Sequence, residues 1–188
     1  GALAQLVRGH IIPVELGLVN GEYFIETLSF GLDAAIALDT TTRRAHDTSQ
    51  EGEALFFTSG LKILSSTLTS VSFDGEKPLE LRELILAFQV GPTYGGGFKI
   101  CPDASPTDGK LTACYNSKIP SIPRLLTLFL LAKKGRHVNS NIIKQRHLDR
   151  AVVTFSEPVP VQVDGEELPY ADRYEVHVLP KALRVIMP

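Results

Sequence analysis

The sequence predicts a mostly β domain, an antiparallel β-sandwich or open barrel accompanied by two or three helices. Three observations predict it. Four turn signals, Asn20-Gly21, Asp74-Gly75, Asp108-Gly109 and Asp164-Gly165, punctuate the 188 residues, and both residue types in such pairs tolerate the positive φ of a tight hairpin turn. Apolar residues alternate at period 2 on the flanks of those turns, as they must where a strand buries one face. Only two segments carry the spacing of a helix, which leaves hairpins as the bulk of the fold.

Taken in order, residues 1–9 read as the tail of an upstream helix. Ile12, Val14, Leu16 and Leu18 then alternate up to the Asn20-Gly21 turn, and Tyr23, Ile25 and Thr27 continue beyond it. Residues 39–51 are polar and turn-like and read as a loop. Over 52–68, Phe57, Leu61, Leu64 and Leu68 fall on one helical face, weakened by Gly60. Val71 and Phe73 lead into Asp74-Gly75, and Leu84, Leu86, Phe88 and Val90 follow. Phe98 to Pro102 reads as a strand running into a loop, and Leu111, Ala113 and Tyr115 follow Asp108-Gly109. A second helix is expected over 122–134, with Ser121 as N-cap, Pro123 in the first turn, Lys133 and Lys134 in the last and Gly135 at C′. Val159, Val161 and Val163 enter the last turn, Tyr174, Val176 and Val178 leave it, and Leu183 to Met187 close the chain.

Composition limits what such a domain does. Lys+Arg number 19 and Asp+Glu 21, a formal net charge of −2, with 44% hydrophobic and 21% charged residues. That is an ordinary globular balance for one domain, and it excludes a generally basic nucleic-acid binder. Two cysteines exclude a disulfide framework and a Cys-rich zinc site. Cys101 and Cys114 read as neighbouring small core residues, which fits a reducing cytosol. No apolar run approaches the ~20 residues of a spanning helix, no stretch of the 188 residues reads as a signal peptide, and the sequence begins at Gly1 rather than Met.

Several groups of residues are candidates for chemistry. The triple glycine Gly95-Gly96-Gly97 follows a strand, but no helix begins after it, so it reads as a bend or bulge rather than a phosphate loop. The loop Asp103 to Lys110 offers oxygen ligands to a hard cation such as Mg²⁺, or is a plain Asx turn without metal. Val163-Asp164-Gly165-Glu166-Glu167 crowds three carboxylates on one hairpin tip, where one could act as a general base or bind metal, or where all are solvated. The five histidines lack ligand spacing, and there is no Gly-x-Ser-x-Gly elbow. Arg124, Lys133, Lys134, Arg136 and His137 flank the very apolar 125–131 segment. That pattern suits an anionic membrane surface or a buried helix with dipole-matched cations.

Five blocks in register carry a resemblance: Phe30 to Ala34, Tyr94 to Ser105 ending in Asp108-Gly109, Lys134 to His137, Gln162 to Glu166, and Ala182 to Val185. Together they resemble the C-terminal domain of the diacylglycerol kinase/sphingosine kinase-like lipid kinases, bacterial branch, over nearly the whole chain. The resemblance implies the second domain of a two-domain lipid kinase fold, a β-sandwich that helps bind lipid. The nucleotide-binding Gly-Gly-Asp-Gly-Thr motif of the family's N-terminal domain does not occur in these 188 residues. Residues 1–188 are therefore expected to be that C-terminal domain, with 1–10 a remnant of a linker or of the preceding domain, and to be inactive alone.

Carried over residue by residue, the family's general base falls on Glu166, with Gly165 and Glu166 as the nucleotide-side contacts. Its Mg²⁺ ligands fall on Ser105, Asp108 and Lys110. The resemblance implies ATP as co-substrate, a lipid hydroxyl such as that of diacylglycerol as acceptor, and the N-terminal nucleotide-binding domain as partner. It also implies a cytoplasmic site, peripheral at the inner membrane face, and is compatible with a homodimer. The alternatives are a non-catalytic lipid-binding β-sandwich and a kinase for a sphingoid base or another small molecule. Two departures stand out: Thr107 replaces an acidic residue common in the family, and Val90-Gly91-Pro92 stands where many members carry an Asn.

Overall fold

The computed structural model describes residues 9–35, 68–82, 85–93 and 97–187. The expected 39–51 loop, the 52–68 helix apart from Leu68, and Tyr94, Gly95 and Gly96 lie outside them. Twelve strands form two six-stranded antiparallel sheets among the described residues. They are β1 (His10–Val19), β2 (Glu22–Phe24), β3 (Thr27–Phe30), β4 (Thr69–Phe73), β5 (Leu79–Leu81), β6 (Ile85–Gln89), β7 (Leu111–Asn116), β8 (Ile143–Leu148), β9 (Arg150–Phe155), β10 (Val161–Val163), β11 (Glu166–Glu167) and β12 (Arg173–Met187). One sheet runs β2-β1-β12-β9-β4-β5, the other β11-β10-β3-β6-β7-β8. The expected antiparallel β-sandwich is the fold.

Three of the four turn signals close hairpins, and Asn20, Asp74 and Asp164 adopt φ of 47°, 51° and 50°. Asp108-Gly109 does not. β6 and β7 do pair, but the connection between them, residues 90–110, is a long excursion, and the Asp-Gly pair lies at its end. The segment expected as a strand there contributes only a bridge at Phe98.

The two sheets meet on Leu28, Phe30, Phe88 and Val161 from one side and Val71, Val153, Phe155 and Tyr174 from the other. Phe30 anchors this seam, its ring centroid 5.2 Å from that of Phe155 and 5.0 Å from that of Tyr174. A third layer covers the outer face of the second sheet. Helix α1 (Ile122–Ala132) and the 97–110 loop pack Leu128, Ala132, Ile100, Cys101 and Ala104 onto Ala87, Cys114 and Ile143. The two cysteines are thus buried neighbours in that layer, although Cys101 sits in the loop rather than on a strand. Helix α1 ends two residues early: Lys133 is its C-cap, and Ser121 makes no side-chain capping bond. Pro106 and Gly135 mark the contacts this loop makes. Pro106 O accepts from Glu15 N–H at 3.0 Å, and a Cβ at Gly135 would lie 3.0 Å from Pro102 Cβ.

Register places one end of the second sheet in a single row. Thr27 faces Gln89, Gln89 faces Thr112 and Thr112 faces His147. Asp164 N–H donates to Thr27 O at 2.9 Å, so the β10–β11 turn joins the same end. With strands about 4.8 Å apart, the hairpin tip and the start of β7 are about 15 Å from each other along that row.

Gly17 has a packing reason to lack a side chain. It faces Phe24 across the β1–β2 ladder, and a Cβ there would overlap the Phe24 ring. Gly17→Ala is expected to lower stability by about 1–3 kcal/mol through overpacking. Gly91→Ala, where a Cβ meets nothing within 4 Å, should stay within about 0.5 kcal/mol of the parent. Urea midpoints of the two variants measure the contrast.

Candidate functional site

The β10–β11 hairpin carries Asp164, Gly165 and Glu166. Its strands are three and two residues long, too short to stand alone. Asp164 holds the hairpin in place. Its Oδ2 accepts from Ile25 N–H at 2.7 Å, and its Oδ1 from the N–H groups of Glu26 at 3.0 Å and Thr27 at 2.8 Å. The turn between β2 and β3 therefore gets its acceptors from a side chain on a distant hairpin. A carboxylate accepting backbone amides is a strong, charge-assisted arrangement. Below it, the fully buried Gln162 donates to Ser29 Oγ at 2.7 Å and accepts from Gly165 N–H at 2.7 Å.

This network fixes what each member of the motif offers. Asp164 is structurally saturated. Gly165, read from sequence as a nucleotide-side contact, has its N–H engaged inside the hairpin, so it offers a ligand close backbone approach rather than a donor. Glu166 and Glu167 are both exposed, on opposite faces of a short strand. Neither takes part in an ion pair among the described residues.

Ser105, Asp108 and Lys110 fall together on the 97–110 loop. Asp108 Oδ1 accepts from Lys110 N–H at 2.9 Å, which is the Asx turn, and its Oδ2 lies 3.9 Å from His147 Nδ1. Thr107 N–H reaches Ser105 Oγ at 3.4 Å. Lys110 Nζ is drawn away to Asp149 Oδ1 at 2.7 Å. Among the described residues no three His, Cys, Asp or Glu side chains converge as a metal cluster. A cation here would rely on backbone carbonyls and water as much as on carboxylates, which suits a small hard ion and no softer one.

Sequence reasoning missed the residue beneath this loop. Glu15 is only 2% exposed, its Oε1 accepts from Gly109 N–H at 3.1 Å, and its Oε2 is buried with no hydrogen-bond partner among the described residues. An orphaned carboxyl oxygen under an oxygen-rich loop is what a hard cation would complement, so the residues present fit the ion. The signal available in the sequence was slight: Glu15 is the one charged residue between Ile11 and Gly21.

His137 also departs from expectation. It does not join the basic surface but is buried, its Nε2 lying 3.1 Å from Ile100 O and 3.9 Å from Cys114 Sγ. The contact with Cys101, then that with His137, holds the Cys114 thiol down, at about 7, against the opposing effect of burial. Burial pushes the Cys101 thiol well up.

Helix α1 buries Leu125, Leu128 and Ala132. Its other side is apolar too and open: Ile122, Leu126, Phe129 and Leu130 are 56, 50, 41 and 67% exposed. Arg124, Lys133, Lys134 and Arg136 around it are exposed.

The fold and this arrangement define a class, a β-sandwich whose motif hairpin and loop stand at one end of the same sheet. Residues 26–187 match the family described as the YegS C-terminal NAD kinase beta sandwich-like domain, and the chain belongs to that family. It is 26% identical over 169 residues to a diacylglycerol kinase of Bacillus subtilis, covering 88% of this chain and 54% of that protein. It is 27% identical over 191 residues to a protein of Yersinia enterocolitica named "Probable lipid kinase YegS-like", covering 100% of this chain and 61% of the relative. The crystal structure of a diacylglycerol kinase from Bacillus anthracis superimposes with a TM-score of 0.64 at 16% identity, over 100% of this chain and 58% of that one. The chain thus spans little more than half the length of the relatives it matches. The two relatives bear the names diacylglycerol kinase and probable lipid kinase.

Removing the Asp164 carboxylate should release the hairpin. Asp164→Ala strands three backbone donors and is expected to cost at least about 2 kcal/mol. Asp164→Asn keeps an acceptor oxygen and tolerates the positive φ, so it should lose less. Urea unfolding of both variants gives the ordering.

Proposed function

We propose that this chain is the lipid-substrate half of an ATP-dependent kinase, and that the whole protein transfers the γ-phosphate of ATP to a lipid hydroxyl, diacylglycerol foremost. The observation that carries the reading is the β10–β11 hairpin, in which Asp164 and Gln162 spend their hydrogen bonds on rigidity and leave Glu166 open. A general base has to be held in place without being neutralised. Glu166 accepts the proton of the attacking lipid hydroxyl, and the developing phosphoryl charge is met by groups outside this hairpin. Ser105, Asp108 and Lys110 are the residues that would hold Mg²⁺. Bound there, the ion supplies positive charge and fixes the loop.

The test uses two neighbouring carboxylates in the whole protein. Glu166→Gln should fold normally, because the Asp164 clamp is untouched, and lower kcat by about 10²–10⁴-fold. Glu167→Gln, on the other face of the strand, should change kcat little. Equal losses in both would mean that the tip acts through charge alone, and full kcat in both would remove Glu166 from the mechanism.

The helix adds a membrane partner to the reading. Residues 109–148 contain eight Lys and Arg and no Asp or Glu, in a chain whose net charge is −2, and the exposed apolar face of α1 lies within that stretch. Apolar insertion flanked by cations favours an anionic bilayer, each well-placed cation adding about 1 kcal/mol. The protein should float with phosphatidylglycerol-containing vesicles and not with pure phosphatidylcholine ones. Leu130→Glu should abolish the association, and vesicle binding that survives this change would place the membrane contact elsewhere.

A further inference from the structure

We infer that Glu15, on β1, is the second carboxylate of the cation site in the 105–110 loop, its Oε2 facing the ion alongside Asp108. The inference rests on the reading of that loop as a divalent-cation site and assigns it a ligand that the loop's own sequence does not contain.

The backbone prepares Glu15 for this. The β1–β12 register shifts between Val14 and Leu16, so that Val14 faces Leu183 while Leu16 faces Leu179. Across the shift β12 carries Lys181 at φ 57°. Glu15 falls at the irregularity, and its N–H turns from the ladder to Pro106 O at 3.0 Å. Its side chain reaches the same loop, taking Gly109 N–H at 3.1 Å. One residue on the sandwich therefore grips the loop on both sides of Asp108.

What remains is Oε2. It is buried, and among the described residues no donor meets it. The basic side chains on and beside the loop are engaged elsewhere: Lys110 with Asp149, and His147 with Thr112 and Asp108. A buried carboxylate without a partner is costly. A metal ion meets the demand directly. Asp108 is the one carboxylate between Pro106 and Leu148, and a second one raises the charge of the site to a level that can hold a divalent ion against its own hydration. The donor set, two carboxylates with loop carbonyls and water, is all oxygen, so the class of ligand is a Mg²⁺-sized hard cation.

The experiment is a Mn²⁺ titration of the whole protein by electron paramagnetic resonance, without nucleotide or lipid and with Mg²⁺ as competitor. Wild type should bind a Mn²⁺ that Mg²⁺ displaces. Glu15→Gln and Asp108→Asn should each weaken that binding at least tenfold, and Thr107→Ala less than twofold. Wild-type affinity in Glu15→Gln, or no Mg²⁺-displaceable Mn²⁺ in wild type, overturns the assignment. If Glu15→Gln does not fold, wild type answers alone. Mg²⁺ should shift the Gly109 amide resonance and Mn²⁺ should broaden it together with Glu15, and unchanged resonances at both overturn the assignment. Turnover is not read in any arm, so a failure here leaves the role of Glu166 standing, and a failure of Glu166→Gln to alter kcat leaves this site standing.

Discussion

The interaction on which the working end of this domain depends is the capture of three consecutive backbone amides, Ile25 to Thr27, by one carboxylate on Asp164. Those amides belong to the turn that crosses from the first sheet to the second, so the turn that changes sheets is closed by the hairpin at the far end of the sequence. A contact between residues 137 to 139 apart carries a large loop-closure cost, and only a multidentate, charge-assisted bond offsets it locally. The β10 ladder with β3, the burial of Gln162 and the placement of Glu166 all follow from that closure.

The same sheet end carries the 97–110 loop, and the loop is held by a different principle. It has little regular hydrogen bonding of its own. Instead Gln89 takes Cys101 N–H at 3.0 Å, His137 meets Ile100 O, and Glu15 meets both Pro106 and Gly109. Each anchor comes from a different element, which lets a long connection stay fixed at a sheet end without becoming a strand. The apolar underside of α1 seals this layer through Leu128 and Ala132, so its remaining apolar residues are left facing outward.

The fold was legible because its signals are local. Period-2 runs and Asn-Gly or Asp-Gly turns report backbone conformation within a few residues, and the 122–132 helix was marked by Pro123 and its leucines. The Asp108-Gly109 pair misled because the same dipeptide serves an Asx turn at the end of a long loop, where β7 follows at Leu111 but no strand leads into the turn. Glu166 and the loop residues came from ordered blocks that match a family rather than from chemistry readable in isolation. The jobs of Asp164, Gln162, Glu15 and His137 were not legible, because each is defined by partners brought in by topology. His137 looked like one more cation beside Lys133 and Lys134, and only the packing of the loop buries it.

Three acidic residues in this chain illustrate how environment, not identity, assigns a role. Asp164 has three backbone donors for two oxygens and nothing left to offer a ligand. Glu166 is exposed and in no ion pair among the described residues, so its carboxyl group is open, as the proposed general base requires. Glu15 stands between them, buried like a structural group but satisfied at one oxygen only. A fold can tolerate a saturated buried carboxylate or a solvated free one at little cost. The half-satisfied case is costly, and a ligand from outside the chain is one way to complete it. By that reasoning the second oxygen of Glu15 supports the proposed ion in the same way that the open carboxyl group of Glu166 supports the proposed substrate.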